Sequence, residues 1–301
     1  MSRISTALLF ERGISSMLEQ QAKLSRTQMQ VASGKRILTA KDDPAGAAYA
    51  LDLRTAISQM EQYQANAERA GSRLDLQEES LKGVDNLIPR IKELTVQGLN
   101  DTNSANDRRA IAQELRQIND ELMSLANTTD SNGEYIFAGY TADSIPFQNP
   151  VDGVFSYSGD AGSRSLQISA TRQVQDRENG FDVFMDIDTS TGAKRNLFET
   201  VHGIIAGLEA NAPDSTYLDD LSLVQDHVSN VRTRSGARLN AIDEQKGVND
   251  QFNLTMQKAL SGTEDLDMAE AVSRFEQELV ALQAAQQTFN MVQGLSLFNY
   301  L

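Results

Sequence analysis

Near the start of the chain the apolar residues recur at a seven-residue stride, with Phe10, Met17, Leu24 and Val31 in one column. That spacing returns side chains to one face of a helix. The partner column reads Ile14, Gln21 and Gln28, so the stripe is half polar and too thin to sustain a helix alone. A second stripe runs through Leu53, Met60, Ala67, Leu74, Leu81 and Ile88, joined by Val84 and Ile91. Pro44 stands where a helix opens, with Asp43 as its N-cap, and a helix from Ala45 to Leu87 is on the order of 65 Å long. Pro89 is expected to kink or end it. A third run, Ile111, Leu115, Ile118, Leu122 and Leu125, alternates steps of four and three, as an amphipathic helix requires.

The C-terminal half mirrors this pattern. Leu197, Val201, Ile204, Ile205 and Leu208 predict a short amphipathic helix closed by the Pro213 loop. Leu221, Val224, Val228 and Val231 open a long one that resumes at Ile242, Phe252, Met256 and Ala259, and Val272, Phe275, Leu279, Leu282 and Phe289 mark the last. Between the helical arms, Tyr135–Phe137, Gly153–Tyr157, Ser165–Ile168 and Phe181–Phe184 are short apolar or alternating runs among Gly, Asp, Asn and Ser, and they predict strands and turns. The expected fold is mainly α, with long antiparallel coiled-coil-like helices from both chain ends and a small β-rich insert. Its expected parts are terminal helices at 1–44 and 263–301, a helical domain from 45–133 and 196–262, and a β-rich outer domain at 134–195. The outermost helices carry so narrow a stripe that neighbours are needed to bury it.

Composition narrows the function. Among 301 residues, 27 Lys and Arg meet 42 Asp and Glu, a net charge of −15, which argues against a protein built to hold phosphate backbones. Arg108-Arg109 and the group Arg232, Arg234 and Arg238 sit among acids without interleaved aromatics, so no nucleic-acid partner is expected. There is no Cys, which excludes thiolate metal sites, disulfides and Cys nucleophiles. The apolar run Ala7–Phe10 is too short for a cleavable signal peptide, and no apolar stretch reaches the roughly 18 residues of a membrane span; neither a membrane partner nor Sec-type export is expected.

Candidate chemistry is sparse. His202 and His227 are the only imidazoles and read as helix-surface residues rather than metal ligands or triad members, with no acid at ligand spacing. Asp186 to Gly192 resembles a calcium loop at its first, third and fifth positions, but Thr191 stands where that loop needs Gly and Leu197 where it needs Glu; a hairpin turn is the better reading. Gly34-Lys35 lacks the upstream Gly of a phosphate loop. No cofactor, metal or catalytic residue is expected, and the chain is read as a non-enzyme.

The segment Ala32-Ser33-Gly34-Lys35-Arg36-Ile37-Leu38-Thr39-Ala40-Lys41-Asp42-Asp43-Pro44 resembles the turn that opens the second helix in the bacterial flagellin family. Gly34, Arg36, Lys41, Asp42 and Asp43 carry the motif. Val84 to Val96, Asn100 to Ser104 and the Ile111 helix follow the flagellin order, and the resemblance covers approximately residues 1–130 and 215–301. Asn132 to Tyr140 with Ile145-Pro146-Phe147, and the ending Gln293 to Leu301, are similar to the members of that family that join hook to filament. The resemblance implies an extracellular structural subunit of the flagellum at the hook–filament junction, exported unfolded through the flagellar type III apparatus. It implies terminal segments that are disordered in the monomer and helical in the assembly. The implied partners are the first hook-associated protein, flagellin, copies of the chain itself in a ring, and an export chaperone on the C-terminal helix. Assembly packing then falls to Phe10, Ile14, Met17, Leu24, Val31, Val272, Phe275, Leu279, Leu282 and Phe289. A flagellin forming the filament itself and a non-flagellar helical-bundle adaptor remain alternative readings.

Overall fold

The computed structural model describes residues 2–294; the terminal string Leu295 to Leu301 lies outside the described residues. The described residues form six α-helices: α1 (Ser2–Ser33), α2 (Pro44–Leu99), α3 (Ala105–Ala126), α4 (Leu197–Glu209), α5 (Thr216–Glu264) and α6 (Met268–Gly294). Between α3 and α4 lie three antiparallel two-stranded ribbons: β1 (Phe147–Val151) with β2 (Val154–Tyr157), β3 (Ser165–Gln167) with β4 (Gln173–Gln175), and β5 (Ile187–Asp188) with β6 (Lys194–Arg195). The chain divides into two compact units, Met60–Gln251 and a second formed by Met1–Gln59 with Phe252–Leu301.

Unit Met60–Gln251 holds the hydrophobic core. Leu81, Val84, Ile88 and Ile91 of α2 are fully buried against Leu115 and Leu122 of α3, Leu197, Phe198 and Val201 of α4, and Leu221, Val228 and Val231 of α5. Each such side chain contributes roughly 1.5–3 kcal/mol when removed from water. A smaller cluster of Ala67, Ala70 and Leu74 with Ile242 closes over Ile168 and Val174, and the Asn249 side chain donates to the Ile168 carbonyl at 2.9 Å. The helix starts are capped as their sequences direct. Ser104 and Asp107 form a reciprocal capping box on α3, Asn196 accepts from the Glu199 amide on α4 at 2.6 Å, and Asp43 accepts from the Gly46 amide on α2 at 2.9 Å.

The β-rich segment shares this core. Phe147 packs between Phe184 and Phe198, with ring centroids 5.3 and 5.6 Å away, and Phe137 meets Phe184 edge-on at 5.0 Å. Such pairs add about 0.5–1.5 kcal/mol each beyond burial. The Asp186–Gly192 stretch is the predicted hairpin, closing β5 onto β6 with Gly192 at φ 80.

Three expectations are corrected. Pro89 does not end α2, which runs ten residues further to Leu99; Pro89 is exposed, so the carbonyl it leaves without a helical donor can turn to water. Tyr135–Phe137 is a turn rather than a strand, with the isolated bridge Thr129↔Tyr135 as its one β pairing, because Gly133 and Gly139 bend the chain on either side at φ 82 and 72 and the Phe137 carbonyl is taken by the Gly180 amide and the Tyr157 hydroxyl. Phe181–Met185 is a π-helical turn. There Asn179 accepts from the Phe181 amide, and Phe181 is exposed while Val183, which would share its face in a strand, is buried.

Candidate assembly surface

The terminal helices α1 and α6 pack on each other within unit Met1–Gln59 with Phe252–Leu301. Phe10 meets Phe289 at 5.0 Å between ring centroids. A Cβ on Gly13 would lie 3.2 Å from the Phe289 ring, so glycine lets the backbone approach. The column Met17, Leu24 and Val31 is half-buried, as is Phe275, Leu282 and Phe289 on α6.

In both helices the second column lies one residue away from the expected one. On α1 the inward positions are Gly13, Gln20 and Thr27, while Gln21 and Gln28 are exposed; Ile14 stays half-buried. On α6 they are Ala271, Glu278 and Ala285, while Val272 and Leu279 point outward. The seam is therefore filled by small or polar residues. The larger apolar side chains next to it face away: Val272 is 43% and Val280 62% exposed, and Leu18 and Met29 on α1 are exposed as well. The same unit exposes Tyr49, Leu51, Phe252 and Leu254. Among its described residues only Ile37, Ala50 and Ala271 are buried apolar side chains, which is far too little to offset the ordering of two long helices.

The motif turn between α1 and α2 is built mostly from polar contacts. Gly34, at φ 69, closes α1 by donating to the Gln30 carbonyl at 2.9 Å. Its own carbonyl accepts from the Leu266 amide at 3.0 Å, and the Arg36 amide donates to the Glu264 carbonyl at 2.6 Å, stitching the turn to the α5–α6 connection. Asp42 accepts from the Leu38 and Thr39 amides at 3.1 and 2.9 Å and pairs with Arg26 at 2.7 Å. The Thr39 amide first, then Leu38 and Arg26, hold the Asp42 carboxyl below the usual carboxylate range. Arg36 pairs with Asp43 at 3.4 Å and donates to the Thr263 carbonyl at 2.8 Å. Lys41, the remaining motif cation, is exposed.

Sequence reasoning missed the centre of this turn. Glu264, at 6% exposure, accepts from Lys35 Nζ at 3.1 Å and Arg54 Nη2 at 2.6 Å. Burial pushes its carboxyl up, but the hydrogen bonds from Lys35 and Arg54 outweigh it and hold the group below its ordinary value. Buried Gln30 donates to the Arg36 carbonyl at 2.7 Å. A second missed knot, in unit Met60–Gln251, gathers Arg73, Arg164 and Arg177 on the fully buried Asp176, with Arg73 also bonded to Glu134. His202 has an acid after all: Asp152, brought by the β1–β2 turn, lies 3.6 Å from its Nδ1. His227 contacts the Asp182 carbonyl through Nε2 at 2.8 Å. Among the described residues no group of three or more acids and histidines is placed to hold a metal ion, and no helix is long and apolar enough to cross a membrane.

Paired terminal helices with an outward apolar face, a motif turn locked onto the α5–α6 connection, and a β-bearing segment between α3 and α4 define a flagellin-type structural subunit. Residues 4–142 match the bacterial flagellin N-terminal helical region. The flagellar hook-associated protein 3 of Salmonella typhimurium is 31% identical, with 98% of each chain covered. A crystal structure of flagellar hook associated protein-3 from Legionella pneumophila superposes with a TM-score of 0.66 at 19% identity, covering 70% of this chain and 97% of that one. The flagellin of Clostridium tyrobutyricum, at 32% identity, matches only 45% of this chain and 36% of its own length. The chain belongs to the flagellar hook-associated protein 3 family. It is a structural component of the bacterial flagellum at the hook–filament junction, associated with hook and filament components.

Proposed function

We propose that the chain forms an adaptor ring, with one side of the ring meeting the first hook-associated protein and the other templating flagellin. The observation that carries this reading is the outward apolar face of α1 and α6: Leu18, Met29, Val272, Leu279 and Val280 are exposed beside a seam of small and polar residues. An isolated chain gains nothing from that arrangement, whereas neighbouring subunits bury it. The packing role of Phe10, Ile14, Met17, Leu24, Val31, Val272, Phe275, Leu279, Leu282 and Phe289 divides accordingly. The half-buried residues, with Phe10 on the Phe289 ring, join α1 to α6, and Val272 and Leu279 meet neighbours. The terminal helices are disordered in the free monomer and order on assembly, the type III apparatus exports the chain, and a chaperone covers the α6 stripe before assembly. The role is mechanical, with no catalytic step.

Immunogold electron microscopy of purified flagella with an antibody to residues 140–190 tests the position. Label confined to the boundary between hook and filament is expected, and label along the whole filament would make the chain a flagellin. Val272→Asp with Leu279→Asp tests the surface: the double variant should keep the thermal unfolding of the wild-type monomer yet fail to enter flagella. Normal filaments in that strain would refute the packing assignment.

A further inference from the structure

Beside the motif turn lies an open cleft of about 420 Å³ whose lining includes Lys35, Ile37, Leu38, Ala47, Arg54 and Glu264. We propose that this cleft receives an acidic side chain from a second copy of the chain, so that the motif turn is a ring contact as well as a local fold. The inference rests on the adaptor-ring reading above and names the chemistry of one of its contacts.

The charges in the cleft do not balance. Two cations share the single Glu264 carboxylate, which leaves one positive charge in excess. The Lys35 and Arg54 side chains are 44% and 50% exposed. Arg54 reaches Glu264 through Nη2 alone and Lys35 through one contact, so donors on both remain for a further acceptor. Ile37, 8% exposed, and half-buried Leu38 wall the cleft with apolar surface, where an ion pair is screened less than on open surface. The charged residues of the lining, Lys35 and Arg54 against Glu264 alone, thus reverse locally the sign of a chain with net charge −15.

That charge reversal favours a copy of this chain as the occupant. Its surface is rich in carboxylates, and exposed Asp52 and Glu276 make no ion pair among the described residues of the same unit. Like-charged acidic subunits repel unless such a basic recess takes up an acid from the next copy. Glu264 then has two tasks: it fixes the two cations in place, and it leaves their outer donors pointing at the cleft.

Zero-length carbodiimide coupling on purified flagella tests this directly, because it joins a lysine amine to a carboxylate only at contact distance. The expected product is a band at twice the chain mass that contains the Lys35 peptide joined to an Asp or Glu peptide of the same chain other than that of Glu264, and that cross-link is absent from the monomer band. Lys35→Arg, which keeps the charge but has no amine to couple, should lose that cross-link. Coupling of Lys35 to Glu264 alone, or to a peptide of flagellin or of the first hook-associated protein, would overturn the proposal while leaving the junction reading intact. Absence of the chain from flagella would overturn the junction reading and this contact with it.

Discussion

Glu264 shows how one side chain can organise a turn that local sequence does not reveal. Its partner Lys35 is 229 positions away, so neither residue carries a local signal of the other, whereas Asp43 before Pro44 is legible because an N-cap and its helix are neighbours. Glu264→Gln leaves Lys35 and Arg54 without their counter-charge and is expected to cost about 1 kcal/mol, the modest value reflecting two half-exposed cations. The pH dependence has a definite sign. The folded carboxyl titrates below its ordinary 4.5, so its contribution is complete above that value and is lost as pH falls through the lower folded value. Protection of the Arg36 and Leu266 amides against hydrogen exchange, corrected for intrinsic rates, should drop across that interval in the wild type and show no such step in Glu264→Gln. Tyr157 has the opposite sign: burial, with Asp160 adding to it, pushes its hydroxyl up to about 12. Its stabilising bonds to Phe137, Asp160 and Asn179 hold below the unfolded value of 10.0 and are lost as pH rises through about 12. A spectrophotometric titration in which every tyrosine ionises near 10 would contradict this.

At the scale of elements, periodicity placed the helices and one column of each terminal stripe, and failed at the second column. Met17, Leu24 and Val31, like Phe275, Leu282 and Phe289, can be read from hydrophobicity because they are the bulky members of the seam. Gly13 and Thr27, or Ala271 and Ala285, cannot be read that way: close helix approach selects small residues that no hydrophobic count rewards, and a one-residue shift separates them from the larger apolar neighbours that face outward. Phe181–Met185 misled for a related reason, since two adjacent buried residues suit a tight helical turn as well as a buried strand. The expectation that Pro89 kinks or ends the helix rests on the cost of a proline in a helix interior, about 3 kcal/mol; it does not end α2, because packing of Ile88 and Ile91 on either side carries the helix through it. Pro89→Ala restores a hydrogen bond to an exposed position and is expected to stabilise the chain by roughly 1–3 kcal/mol, seen as a higher urea midpoint. An unchanged or lower midpoint would mean that the proline's geometry is itself used in the packing of α2 on α3.

For the molecule as a whole, the burial is divided unequally between the two units. Both hydrophobic clusters, from Ala67 to Ile242, lie inside Met60–Gln251, together with the Asp176 knot and the aromatic group around Phe147. The other unit offers, among its described residues, three buried apolar side chains and the Glu264 turn. A fragment of residues 60–251 should therefore fold by itself with a single cooperative urea transition and a near-ultraviolet dichroism signal from its buried aromatics. The full-length monomer should show nearly the same midpoint, because the terminal helices add little that an isolated chain can bury. Protease should trim that monomer from both ends to about residues 45 and 262 while the assembled protein resists. These outcomes separate two kinds of stability: Met60–Gln251 is held by its own core, and the terminal helices by their neighbours. A fragment that fails to fold, or a full-length chain much more stable than the fragment, would show that the terminal helices stabilise the core before assembly. The outward apolar face would then need another explanation than packing in a ring.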